Sequence, residues 1–119
     1  MLIKKDFTFD AAHFLPNYHG KCENLHGHTY SLSVTLEGDP GADGMIIDFK
    51  EFSELVQLHI LSLLDHQNLN QQFTNPNTEI IAQWIYDKMN SLFDSTSLRL
   101  FEIMLSESSA SHIIIRRDA

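Results

Sequence analysis

A chain of 119 residues, 43% hydrophobic and 20% charged, has the composition of one soluble globular domain, taken as residues 1–119. Eight basic against sixteen acidic residues give a net charge of −8, and with no basic run or basic–aromatic interleaving this excludes nucleic acid as an expected partner. No segment is apolar enough over sufficient length to cross a bilayer. The N-terminal lysines have no apolar run behind them, and the single cysteine, Cys22, allows no intrachain disulfide, which together predict a cytoplasmic protein.

In chain order, 3–13 reads as a first strand, with Phe7, Phe9, Ala11 and His13 on one face and Thr8, Asp10 and Ala12 on the other; Lys5 interrupts the pattern. Residues 14–25 contain Pro16, Asn17, Gly20 and Asn24 and read as a long loop that carries Lys21 and Cys22. The clearest strand is 26–37, where His26, His28, Tyr30, Leu32, Val34 and Leu36 share a face. After the turn residues 38–44, Asp48 and Glu51 have capping-box spacing, and Phe49, Phe52, Val56, Ile60 and Leu63 recur at helical intervals, predicting a helix over about 49–64. Pro76 suits the first turn of a second helix whose inward residues are expected to be Ile80, Ile81, Trp84, Ile85 and Leu92. Two closing strands are predicted at 98–106 and 113–116. The order ββααββ predicts an α+β fold, a four-stranded antiparallel sheet with two helices on one face, whose outer strands need protection.

Cys22-Glu23-Asn24-Leu25-His26-Gly27-His28 sets a thiol four residues ahead of a His-Gly-His. Alternation along a strand points His26 and His28 the same way, as two ligands of one ion require. His13 ends the other apolar face, and a hairpin brings it alongside. Three neutral imidazoles with one open position are the donor set of a catalytic Zn2+ site, so His13, His26 and His28 are the expected ligands. Without the others, each histidine reads as a hydrogen-bonded strand residue. His59 falls on the helix's inward side, and His19 lies near enough to the site to contact substrate or replace a ligand. Cys22 reads either as an inert small hydrophobe, as a thiolate base, or as a fourth ligand that closes the site. Asp65-His66 alone reads as a helix end. Glu107 closes an otherwise apolar strand face, where a carboxylate needs donors, and Glu102 lies on the opposite face.

Phe9-Asp10-Ala11-Ala12-His13, Cys22-x-x-x-His26-Gly27-His28-x-Tyr30, Leu64-Asp65-His66 and Ser106-Glu107-Ser108 stand in the order found in the 6-pyruvoyl-tetrahydropterin synthase family, which the chain resembles. The spacing of Cys22 from His26 is similar to that of the family's 6-carboxy branch, which serves queuosine biosynthesis. The resemblance implies the tunnelling fold, with subunits joined edge to edge as a homo-hexamer and active sites between them. It implies a zinc-dependent lyase that converts 7,8-dihydroneopterin triphosphate to 6-carboxy-5,6,7,8-tetrahydropterin, releasing acetaldehyde and triphosphate. Cys22, Asp65 and His66 are then the catalytic residues and Glu107 the pterin anchor, accepting two parallel donors from the ring. Ser108 stands where the family has threonine, and a contact from Thr78 is left open. The alternatives are a 6-pyruvoyl-tetrahydropterin synthase, which keeps the three-carbon side chain, and a non-catalytic pterin- or metal-binding module.

Overall fold

The fold is built on a twelve-residue antiparallel ladder between β1 (Leu2–His13) and β2 (His26–Glu37), running from Leu2 opposite Glu37 to His13 opposite His26. The apolar faces fix this register, because a slip of one residue would turn Phe9, Tyr30, Leu32, Val34 and Leu36 out to water. Phe9 stacks on Tyr30, with ring centroids 4.9 Å apart. The computed structural model describes residues 1–17, 19–20, 23–93 and 96–118, so Lys21 and Cys22 lie outside the described residues.

Lys5, the break in the first strand's pattern, sits at the edge of the core-facing side. Its ammonium group reaches the Phe49 carbonyl at 3.2 Å and the Ser53 hydroxyl, so its apolar stem covers core while its charge stays on the helix. That helix, α1 (Phe49–Val56), is capped by Asp48, whose carboxylate accepts from Lys50 N–H at 3.1 Å. It runs without a break into a π-helical turn (Gln57–Leu61) and a short α2 (Ser62–Leu64). The expected helix over 49–64 is therefore present with a changed pitch in its second half. The wider turn still buries Ile60 and Leu61, next to Val56 and Leu64.

Among the described residues the sheet has five strands, not four, in the order β3-β1-β2-β4-β5. The additional strand, β3 (Gln67–Asn68), pairs in parallel with Ala11 and Ala12 of β1. His66 makes this possible by taking a left-handed conformation (φ 60°), which turns the chain back along β1 directly after α2. A 3-10 turn (Leu69–Gln71) leads on to α3 (Thr78–Ser91). Asn77, rather than Pro76, occupies the cap: its side-chain oxygen accepts from Ile80 N–H at 2.8 Å, which proline cannot offer. Ile81, Ala82, Ile85 and Met89 are the buried residues of α3, whereas Ile80 is 45% exposed. The strands β4 (Arg99–Ser108) and β5 (Ser111–Arg116) close the sheet. Apart from Ala11 and Ala12, the outer edge of β1 has no strand partner among the described residues, and neither does that of β5. Among the described residues, no helix is long and apolar enough to cross a membrane.

Candidate active site

Cross-strand neighbours on an antiparallel pair point to the same face, so placing His13 opposite His26 and Ala11 opposite His28 turns three imidazoles to the core side at one end of the ladder. Their centroids are 4.7 Å (His13 to His26), 5.1 Å (His13 to His28) and 4.7 Å (His26 to His28) apart. One ring nitrogen from each lies within 4.8 Å of the others, so the triad can hold a metal ion. His13 is 1% exposed and the other two are half-buried.

Two backbone carbonyls set the tautomers. His13 Nδ1 lies 2.6 Å from the Pro76 carbonyl and His26 Nδ1 lies 2.7 Å from the Asn24 carbonyl. A carbonyl only accepts, so both Nδ1 atoms carry the proton and both Nε2 atoms keep a lone pair, the arrangement that metal-binding histidines need. His13 Nε2 is buried with no hydrogen-bond partner among the described residues, an arrangement costly in the bare protein and resolved by coordination. Burial lowers the pKa of His28; the Glu107 carboxylate opposes this, and His13 and His26 reinforce it, which favours the neutral ring that coordinates metal. Tyr30 lies beneath, its hydroxyl 3.4 Å from His13 Nδ1, and burial, then the charge of Glu107, keeps it a protonated phenol.

Glu107 faces the same triad, with Oε1 3.6 Å from His13 Nε2, beyond hydrogen-bond length. Its aim comes from a bulge. Ser106 pairs with His112 and Ser108 with Ser111, which leaves Glu107 as the extra residue on β4. The carboxylate lines a cleft of about 200 Å³ with Thr78, Glu79, Ser111, His112 and Ile113, at the N-terminal end of α3. Sequence reasoning missed Glu79, Ser111 and His112; the first turn of α3 brings Glu79 there, and the pairing of β5 against a bulged β4 brings Ser111 and His112. His112 is fixed by Ser106, whose Oγ is 2.6 Å from its Nδ1. Glu102 has a different role, pairing with Arg116 at 3.3 Å.

Asp65 and His66 are brought together, but not with the triad. His66 Nδ1 lies 3.0 Å from Asp65 Oδ1, and both cluster with Asp10, whose side chain meets Thr29 on the sheet face opposite the imidazoles. His66 and Asp10 border an outer cleft of about 520 Å³ lined also by Ala11, Ala12, Gly27, His28, Thr29, Gln67 and Asn68. The Asp10 N–H, and secondarily His66, hold the Asp65 carboxyl below its usual pKa, with desolvation opposing. A depressed folded-state pKa contributes stability that is complete above the unfolded value, about 3.9, and is lost as pH falls through the lower folded one. Asp65→Asn is therefore expected to shrink the stability difference between about pH 6 and about pH 3, measured by urea unfolding at both values. Cys22 is outside the described residues, as is Lys21. His19 is exposed and His59 half-buried in the π-helical turn, neither in the triad.

A model of the 6-pyruvoyl tetrahydropterin synthase family matches residues 2–118. The 6-carboxy-5,6,7,8-tetrahydropterin synthase of Haemophilus influenzae is 43% identical over 93 residues, covering 75% of this chain and 64% of that protein. The enzyme of the same name from Bacillus subtilis is 32% identical over 123 residues, covering 96% of this chain and 84% of that one. In fold, the chain is similar to the 6-pyruvoyl tetrahydropterin synthase of Caenorhabditis elegans, with a TM-score of 0.84 at 24% identity over 99% of this chain and 96% of that one.

Proposed function

Because this chain belongs to the 6-pyruvoyl tetrahydropterin synthase family, we propose that it acts as a zinc-dependent 6-carboxy-5,6,7,8-tetrahydropterin synthase on 7,8-dihydroneopterin triphosphate. The observation that carries this reading is the convergence of three imidazoles, two with their Nε2 lone pairs fixed by backbone carbonyls, beside the carboxylate of Glu107. His13, His26 and His28 would hold the zinc, which when bound supplies Lewis acidity toward oxygens of the substrate side chain.

The chain's own residues do the rest. Glu107 accepts the two parallel donors of a pterin ring and fixes its orientation in the cleft at the start of α3. Cys22 takes and returns the proton on the side-chain carbon. Asp65 accepts from His66 Nδ1–H, which leaves His66 Nε2 to exchange that proton with the thiol. Because the Asp65–His66 pair lies in a cluster separate from the imidazoles, we infer that it serves the site of a neighbouring copy, joined at the open edges of β1 and β5.

Incubating zinc-loaded protein with 7,8-dihydroneopterin triphosphate is expected to release triphosphate and acetaldehyde and leave a 6-carboxy pterin, resolved by mass spectrometry. A dicarbonyl pterin with no acetaldehyde would instead mark a 6-pyruvoyl synthase. Binding without turnover would mark a module that only holds pterin or metal. Glu107→Gln keeps the shape but loses the charge and one acceptor, so KM should rise about 10- to 100-fold while bound zinc stays the same.

A further inference from the structure

Asp10 lies on β1 three residues before His13, yet its side chain points to the other face of the sheet and its main chain bonds at the outer edge of β1. Its N–H donates to Asp65 Oδ1 at 2.9 Å, and its carbonyl accepts the His66 N–H at 2.6 Å. Its side chain accepts from Thr29 Oγ1 at 2.5 Å. A carboxylate oxygen of Asp10, one of Asp65 and a ring nitrogen of His66 lie within 4.8 Å of one another. Two carboxylates this close repel unless donors lie between them. The donors here are His66 Nδ1–H, the Thr29 hydroxyl and the Asp10 N–H. Turning the imidazole away would remove one of them and leave the carboxylates facing each other. The left-handed backbone at His66 persists because this set of bonds determines it several times over.

We propose that Asp10 is a positioning residue for the Asp65–His66 pair: its main chain sets where the pair sits, and its carboxylate, tethered by Thr29, confines the His66 ring to the orientation with Nδ1 on Asp65 and Nε2 outward. The inference rests on the reading that this pair relays protons. If Asp10 and Thr29 were merely a cross-strand surface pair, neither the ring tautomer nor the rate per bound zinc would depend on them.

The test compares zinc-loaded Asp10→Ala, Asp10→Glu, Thr29→Val and His66→Gln. Asp10→Ala is expected to lower kcat about 10- to 100-fold, the usual effect of removing an orienting partner, with KM and zinc content close to wild type. Asp10→Glu should recover most of the rate, and Thr29→Val should lose less than Asp10→Ala. In 15N-histidine spectra, the His66 signals are assigned by their loss in His66→Gln. They should report one Nδ1–H tautomer in the wild type and a mixture in Asp10→Ala. An unchanged kcat and tautomer in Asp10→Ala, with activity lost in His66→Gln, overturns the role of Asp10 alone. Full activity in His66→Gln overturns the relay and the positioning role together. Should Asp10→Ala fail to fold, Thr29→Val carries the same decision, because it leaves both carboxylates in place.

Discussion

Replacing His26 by alanine is expected to weaken zinc binding by more than about 100-fold and to remove turnover with it. Loss of an outer partner that only orients a ligand costs about 10- to 100-fold, so loss of one of three ligands should cost more. His26 suits this test because it is half-buried at the end of the ladder, and among the described residues its ring bonds only to the Asn24 carbonyl within its own loop. Its removal leaves the Phe9–Tyr30 stack and the apolar register untouched. His13→Ala, by contrast, would open a cavity under the site and strand the Pro76 carbonyl. Competition against a chromophoric chelator measures the affinity. A His26→Ala protein that holds zinc as tightly as the wild type would remove the triad from the account.

The second large effect concerns Cys22, Asp65 and His66. Cys22→Ala and His66→Gln should each keep fold and zinc and lose about 10²- to 10⁴-fold in kcat, the usual share of positioned proton transfer. Their combination is more telling. On the proposed reading the dyad, which lies outside the imidazole cluster, serves a neighbouring copy, so a complete site would take its thiol and its relay from different copies. Co-expressing the two inactive variants with distinct tags and isolating mixed assemblies should then restore about a quarter of wild-type activity, since half the sites have the thiol and half of those have the relay. If one copy supplied both groups, every site would carry one defect and the mixture would stay inactive.

Much of this geometry was legible in the residues. Period-two alternation put His13 and His26/His28 on apolar faces, and because those faces must meet, the register that joins the imidazoles followed. The helix over 49–64 announced itself by Asp48 and its apolar spacing. The features that were not legible depend on single backbone torsions or on pairings between distant segments. β3 has two residues and exists because His66 is left-handed, and a strand that short has no periodicity to read. The π-helical turn shifts the buried face by one residue, so Leu61 and Leu64 are buried where α-helical spacing points to Leu63, which is 40% exposed. Alternation placed Glu107 on the apolar face of β4, but the bulge that aims it beside Thr78, Glu79 and His112 is set by the β4–β5 register. The separation of Asp65–His66 from the triad was equally hidden, since motif order along a chain does not say which face of a sheet a loop will reach.

The most direct measurement is X-ray absorption at the zinc edge of the purified protein. Imidazole scattering from three histidines at about 2.0–2.1 Å, with a light oxygen or nitrogen atom completing the shell, is the expected result. A sulfur scatterer at about 2.3 Å would make Cys22 a ligand and close the site, contradicting an open position served by a free thiol.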